Sequence, residues 1–409
     1  MILVHICCSV DSHYFLQKLR AKYPDSQLVG YFYNPNIHPR SEYALRFNDV
    51  RRSCEMLNIE LFEGEYELED WLKGVQGLED EPEKGERCVK CFDIRLIKTA
   101  IFAKQKNIKI FTTTLLSSPM KEQQILYAQG DKIAQEYGLE FIKIDVRSNG
   151  GTQEQAQLAR EDNLYRQGYC GCEFALLKQR QKGQKISLEL LENISQQFLP
   201  ASNEDRLETF KKRDMCERES TPYILAKRPI IAWRNLRSVA FNNGIPLDIY
   251  VLADSKSKNN VKTSKIVWIE SSVSSPLALR QILGYTTPNA PKKAINLESH
   301  LIHLGIASKD DSVFLSLQDF NTLCGSAYKS IKELLANPIA YEMENILRIS
   351  LCGFSSINPI IVLDERIGSN LRLHIHTIFQ EEGVFRVIAG NANLQPHLQD
   401  FSQQESVLF

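Results

Sequence analysis

The run from Leu3 to Asp11 constrains this chain more than any other. Leu3, Val4 and Ile6 make a short apolar, β-rich segment that delivers two adjacent thiols, Cys7 and Cys8, and then a carboxylate, Asp11. Such a segment is suited to become a buried parallel strand, and α/β folds place their ligands beyond the C-terminal ends of these strands. Neighbouring side chains point to opposite faces of a strand, so both thiols reach one centre only if the chain turns there. The plainer alternative for an isolated vicinal pair is two small buried hydrophobes at a strand end.

The following segments set the fold class. Residues 12–22 carry Phe15, Leu16 and Leu19 at helical spacing, and 28–33 form a second strand ending in the turn signature Asn34-Pro35-Asn36, with His38-Pro39 holding the chain extended. Residues 42–56 read as an amphipathic helix with Arg46, Arg51 and Arg52, and 59–63 as a third strand. Strand and helix in alternation imply a parallel sheet, hence an α/β domain. An acidic stretch, 79–86, reads as a solvated loop and ends in Cys88-Val89-Lys90-Cys91, ahead of a helix over 92–104. The two-residue spacer lets two sulfurs converge on one metal or cluster. A strand over 108–113 runs into Thr112 to Ser118 and Pro119, whose hydroxyls either cradle phosphate or cap a helix starting near Met120. Residues 138–146 are the last strand of this region.

A third thiol group closes it. In Tyr165-Arg166-Gln167-Gly168-Tyr169-Cys170-Gly171-Cys172 the thiols are too close for a usual zinc knuckle, yet glycine permits the turn that a reducible Cys170–Cys172 disulfide requires. Six grouped thiols exceed the four ligands of one zinc or one cubane, which favours a redox site over a structural zinc site. The chain has no leader-like N-terminus and no apolar span near the roughly 20 residues a bilayer needs, so the expectation is a cytoplasmic protein without membrane contact. Reducing surroundings make metal or redox chemistry a better account of ten cysteines than a disulfide framework. Cys54, Cys216, Cys324 and Cys352 lack such spacing and read as packing residues or incidental thiols.

Taken together, these motifs resemble the QueH family of epoxyqueuosine reductases over about residues 1–180. The matching signatures are His-Ile-Cys7-Cys8, Tyr-Asn34-Pro35-Asn36-Ile-His38-Pro39 with Glu42-Tyr43, Cys88-x-x-Cys91 with Arg95, Ser117-Pro119-x-Lys121, and the segment from Tyr165 to Cys172. The resemblance implies a parallel-sheet fold similar to the adenine nucleotide alpha-hydrolase (HUP) group, here without the Ser-Gly-Gly-x-Asp-Ser phosphate loop of its ATP-using members. It implies a 4Fe-4S cluster on Cys7, Cys8, Cys88 and Cys91, with Cys170 and Cys172 as a redox-active pair. Many members have cysteine where this chain has Asp11, which can itself ligate iron, and an additional mononuclear iron is part of the same expectation. The implied reaction removes the epoxide oxygen of epoxyqueuosine at the tRNA wobble position (position 34), the last step of queuosine synthesis. Its substrates would be tRNAs with a GUN anticodon (Tyr, His, Asp and Asn), and an electron donor is required. Within the shared signatures, Asn34, Asn36, His38 and Arg95 are candidate substrate contacts, as are Ser117, Lys121, Arg166 and Gln167. Asp11, Tyr165 and Tyr169 join the thiols as candidate catalytic groups, and the proton donors are sought among Tyr165, Tyr169 and His38. The alternative is a zinc- or iron-sulfur-stabilised RNA-binding scaffold without reductase activity.

Beyond the resemblance the sequence divides into a catalytic domain over 1–185 and a second, α+β accessory domain over 200–409. A net charge of −1 excludes a chain-wide electrostatic case for nucleic-acid binding, so any such surface is a local patch. The densest basic stretch is 211–237, with Lys211, Lys212, Arg213, Arg218, Lys227, Arg228, Arg234 and Arg237 against three acids, and with Tyr223 and Trp233 interleaved. It either holds the anticodon arm through phosphate contacts and base stacking or is an ordinary solvated face. Helices are expected over 188–198, 272–283 and 327–351, and strands over 245–252, 264–269, 359–363, 371–379 and 383–388. His374 and His376 share a strand face but have no clear third ligand.

Overall fold

The computed structural model describes residues 1–191, 197–282 and 299–390. Its first part is a five-stranded, all-parallel sheet in the order β3-β2-β1-β4-β5, built from β1 (Ile2–Ile6), β2 (Leu28–Phe32), β3 (Glu60–Glu63), β4 (Ile110–Thr113) and β5 (Glu140–Phe141). The crossovers carry α1 (Ser9–Lys22), α2 (Arg40–Met56), α3 (Leu68–Gly74), α4 (Glu86–Gln105) and α5 (Gln123–Tyr137). This is the α/β parallel-sheet class expected from the strand-helix alternation. β1 is central and buried along its whole length; its one polar residue, His5, lies 2.8 Å from the Thr113 hydroxyl and 3.1 Å from the Tyr33 carbonyl. Its register, Ile2 opposite Leu28 and Ile110, sets the ends of β1, β2 and β4 side by side.

Three local expectations shift. Gly138 is the left-handed C-cap of α5 (φ 66°), so it ends a helix and does not begin a strand. The ladder beyond it is only Glu140–Phe141, although Ile142, Ile144 and Val146 still face the core. α4 begins at Glu86 behind Gly85, which places Cys88 and Cys91 on the same face of its first two turns and not in a loop ahead of it.

The remaining elements of this part are α6 (Gly151–Glu161), α7 (Glu173–Lys182) and α8 (Asn203–Arg218). The chain forms two compact units: residues 1–191, 206–226 and the described residues from Arg386 on make one, and 197–205 with the described part of 227–385 make the other. Most of α8 therefore packs with the N-terminal residues. The reason is electrostatic. Arg213 is fully buried, its guanidinium 2.7 Å from Asp49 of α2 and 2.6 Å from Asp214, and it donates to the carbonyl of Asn163. Arg52 grips Glu217 with two bonds of 2.6 Å.

The second unit is an α+β body that contains most of a mixed eight-stranded sheet. Its strands are β6 (Tyr223–Asn242), β7 (Ile245–Leu247), β8 (Tyr250–Val251), β9 (Lys258–Ser274), β10 (Ser299–Ala307), β11 (Val313–Ser316), β12 (Ile360–Leu363) and β13 (Ser369–Ala389), in the order β7-β6-β13-β9-β10-β11-β12-β8. The helices are α9 (Pro276–Ile282), α10 (Leu317–Cys324), α11 (Ile331–Ala336) and α12 (Tyr341–Cys352). Glu344 anchors α12 by accepting from the Ala253 amide (2.6 Å) and from the Tyr250 hydroxyl. The two strands expected over 371–379 and 383–388 are one, β13. Of the helix expected over 188–198, the described part is a single 3-10 turn, Leu188–Leu190, and residues 192–196 lie outside the described residues, as does 283 of the helix expected over 272–283. His374 packs edge-on against Phe241. Among the described residues no helix is long and apolar enough to cross a membrane.

The basic stretch 211–237 is therefore not one surface. Arg213 and Arg234 are buried, and Trp233 is buried with its indole N–H on the Ser255 carbonyl, so these three offer nothing to phosphate or base. Lys211 and Lys212 are exposed. Removing the charge of Arg213 strands the buried Asp49 carboxylate, which should cost about 3–5 kcal/mol. Arg213→Met is expected to lower the denaturation midpoint of the first unit accordingly, whereas the Lys211→Ala, Lys212→Ala pair should stay within about 0.5 kcal/mol of wild type per site in the same urea titration.

Candidate functional site

Three thiol-bearing segments meet at one cavity of about 750 Å³ beyond the end of β1. The strand stops at Ile6, Cys7 and Cys8 form the turn, and Cys8 is the extended N-cap residue of α1. That turn answers the geometric demand of adjacent thiols: Cys7 Sγ and Cys8 Sγ lie 3.8 Å apart, and Asp11, in the first turn of α1, brings Oδ2 to 3.4 Å from Cys7 Sγ. The ligand atoms of Cys7, Cys8 and Asp11 all lie within 4.8 Å of one another. Cys88 and Cys170 line the same cavity. Cys91 and Cys172 sit just behind it, packed together with Trp71, Val75 and Ala175.

Burial and hydrogen bonding decide protonation here. The hydrogen bond between the two thiols holds Cys7 below its ordinary value and, with burial, pushes Cys8 well above. Burial raises the Asp11 carboxyl against the opposing bonds from Cys7, Cys8 and Gln155. Burial also pushes Cys88 up, and Cys172 up to about 12. Burial would lower Lys121, but the Coulombic attraction of the ionised forms of Cys170, Cys88 and Cys91 outweighs this and holds its ammonium above the usual range.

A buried polar frame fixes these segments. Glu42 and Arg46 are a helical i,i+4 pair on α2, with Arg46 Nε 2.7 Å from Glu42 Oε1. Arg46 also donates to the carbonyl of Tyr169 (3.0 Å), and Tyr165 Oη donates to Glu42 Oε2 (3.0 Å). The amide of His38 bonds the Gly171 carbonyl at 2.9 Å, and the Tyr169 hydroxyl donates to the His38 carbonyl. The Asn34 to Pro39 loop and the Tyr165 to Cys172 segment are thus clamped together, with a cis peptide at His38-Pro39.

The candidate residues separate accordingly. Asn34, Arg95, Lys121, Arg166, Gln167 and Tyr169 line the cavity with the thiols. Asn34 donates to the Ile6 carbonyl (2.8 Å) and accepts from Arg95, whose buried Nε has no partner among the described residues. Ser117, Asn36, His38 and Tyr165 do not line it. Ser117 is fully buried and donates to the Asp11 carbonyl at 2.9 Å, so it braces α1, and Thr113 rather than Ser117 caps the following 3-10 turn. His38 Nε2 lies 3.5 Å from Glu173. Tyr165 is committed to Glu42, and burial holds its phenol strongly protonated. The sequence does not single out Gln155, whose Nε2 donates to Asp11 Oδ1 at 2.9 Å; Thr114, expected to cradle phosphate or cap a helix, instead brings its hydroxyl to 3.4 Å from Cys7 Sγ. Nothing in the local sequence marks Gln155. The Glu42/Arg46 spacing, by contrast, was a readable signal.

The profile of the family described as "Epoxyqueuosine reductase QueH" matches residues 2–178. A protein of Helicobacter pylori described as epoxyqueuosine reductase QueH is 42% identical over 395 residues, 95% of this chain and 100% of its own length. The protein of that description from Thermotoga maritima is 35% identical over 189 residues, 46% of this chain and 95% of its own. Among solved structures, the U34-tRNA thiolase NcsA of Methanococcus maripaludis with its [4Fe-4S] cluster aligns with a TM-score of 0.28 at 15% identity, covering 45% of this chain and 65% of its own, too slight a likeness to carry an argument.

The Cys-Gly-Cys turn gives this site its sharpest steric requirement. Gly171 has φ 109°, and a Cβ there would meet Ile37 Cγ1 at 2.8 Å and Arg46 Nη1 at 3.2 Å. Gly171→Ala is expected to cost about 1–3 kcal/mol in thermal or urea unfolding. An unchanged midpoint would contradict this geometry.

Proposed function

The chain belongs to the QueH family of epoxyqueuosine reductases, and from that premise we propose that it converts epoxyqueuosine to queuosine at the wobble position of tRNAs with a GUN anticodon, in the cytoplasm. The observation that carries the reading to particular residues is the meeting of Cys7, Cys8, Asp11, Cys88 and Cys170 on one cavity. The donors suit an iron-sulfur centre: Cys7 and Cys8 with the Asp11 carboxylate from one segment, and Cys88 from a distant one on the same cavity. Cys7, Cys8, Cys88 and Cys91 would hold a 4Fe-4S cluster, with Asp11 available to a further iron. When bound, such a centre supplies one-electron transfer and Lewis acidity toward an oxygen ligand.

The reaction takes two electrons and two protons, breaks both C–O bonds of the epoxide, and leaves an alkene and water. Cys170 and Cys172 as a dithiol supply that balance by forming one S–S bond and releasing two electrons and two protons, and an external electron donor must then restore the dithiol. Cys170 faces the cavity and Cys172 backs it. Lys121 brings a protonated ammonium to the cavity wall, where Nζ can stabilise charge developing on the departing oxygen. Asn34 and Arg95 form a fixed polar floor, and Gln155 holds Asp11 in one orientation. Tyr165 and the His38 loop position the thiol segment and donate no proton to substrate.

The test is anaerobic purification with metal and sulfide analysis, followed by conversion of tRNA containing epoxyqueuosine. Iron, acid-labile sulfide and turnover are expected; colourless protein with stoichiometric zinc and no turnover would support the scaffold alternative. Cys88→Ala should lose cluster absorbance and melt earlier, because metal binding is coupled to folding. Cys172→Ser should keep the absorbance while turnover falls to near background, and loss of absorbance in that variant would put Cys172 among the ligands.

A further inference from the structure

The cavity concentrates positive charge that the chain as a whole lacks. Its wall includes seven Lys and Arg residues against three Asp and Glu, in a protein of net charge −1. The deeper cations are engaged. Arg46 is held by Glu42 and the Tyr169 carbonyl, Arg95 donates to Asn34, and Lys121 faces the thiols. Lys178 on α7 donates to the carbonyls of Asp80 and Glu81. Three others, Lys84, Arg166 and Lys182, are exposed and have no side-chain partner among the described residues. They come from separate stretches: the acidic loop before α4, the segment before the Cys-Gly-Cys turn, and the C-terminal end of α7.

We propose that Lys84, Arg166 and Lys182 form a phosphate-binding rim for single-stranded RNA, gripping the backbone on either side of the nucleotide that enters the cavity. The proposal rests on the reading of tRNA as substrate. A lone exposed lysine is ordinarily a solvated charge, but three exposed cations from separate stretches that line one cavity, with no side-chain partner among the described residues, suit a ligand of opposite sign. Glu83 and Glu122 also line the cavity, and among the described residues neither forms an ion pair with Lys84, Arg166 or Lys182. An enzyme acting on one base in a loop must take that base out of its stack, and contacts to the flanking phosphodiesters hold the strand while it does so. Lys182 lies beyond the matched family span of 2–178. The stretch 211–237, with Arg213 and Arg234 buried, is the weaker claimant for this role.

The experiment measures binding of an unmodified anticodon stem-loop RNA to the full chain across a series of NaCl concentrations. For Lys84→Ala, Arg166→Ala, Lys182→Ala combined, the slope of log K against log salt should fall by about 2, roughly 0.7 for each phosphate no longer neutralised on a single strand. Lys182→Glu alone should also flatten the slope, and Lys211→Ala with Lys212→Ala should leave it as in wild type. An unchanged slope in the triple variant, with the protein folded by its melting curve, overturns the proposal. Reductase turnover of the wild type separates the two readings. Turnover with unchanged slopes removes the rim alone, whereas a flattened slope without wild-type turnover keeps the rim and removes the reductase reading.

Discussion

The site depends on one buried ion pair. Glu42 is fully buried and Arg46 nearly so, and a carboxylate and a guanidinium persist there only because each uses its bonding capacity on the other and on fixed neighbours. Arg46 directs its second bond to the Tyr169 carbonyl, and the second oxygen of Glu42 accepts from Tyr165. The Tyr165 to Cys172 segment has no regular secondary structure of its own to fix it. The rigidity of α2 is transmitted to it through these two bonds, and that is how Cys170 comes to line the same cavity as Cys7 and Cys8.

A second buried arginine extends the frame outward. Asp49, two turns along α2 from Glu42, accepts from the Ser9 hydroxyl and from the Tyr165 amide at 2.8 Å while pairing with Arg213. One carboxylate thus joins the start of α1, which carries Asp11, to the thiol segment and to α8. Most of α8 belongs with the catalytic unit because its arginine neutralises a charge that the unit cannot leave buried alone. The His13 to Asp162 contact of 3.1 Å adds a further link between α1 and the residues before Tyr165.

Much of this was legible in the sequence, and the failures have a common cause. The β1 run, the strand-helix alternation and the three thiol groups depend on local pattern, and local pattern survives folding when one strand is buried on both faces. Cys54 in the first core and Cys324 and Cys352 at the second are packing thiols, as their spacing indicated. What misled was charge. Arg213 and Lys212 are neighbours of equal sign in the sequence, yet one is sealed against Asp49 and the other meets water. No local feature distinguishes them, because the deciding carboxylate lies far away in the chain. The same holds for Ser117, whose hydroxyl is drawn to a backbone carbonyl of α1, and for Gln155, which matters only because α6 lies beside α1.

That contrast also explains how a nearly neutral chain can address RNA. Net charge averages over the surface, whereas association responds to the local field, and a cleft with low-dielectric walls focuses it. At the cavity wall the bond with Cys7 and burial favour a neutral thiol at Cys8, and burial does so at Cys88, so the cations there are only partly neutralised by the residues they face. Binding a metal centre requires thiolates, and each proton released on binding adds negative charge deep in the cavity. On the proposed reading the inner cations would face that centre and the exposed Lys84, Arg166 and Lys182 would meet phosphate, so that one set of Lys and Arg side chains would divide into two tasks by exposure.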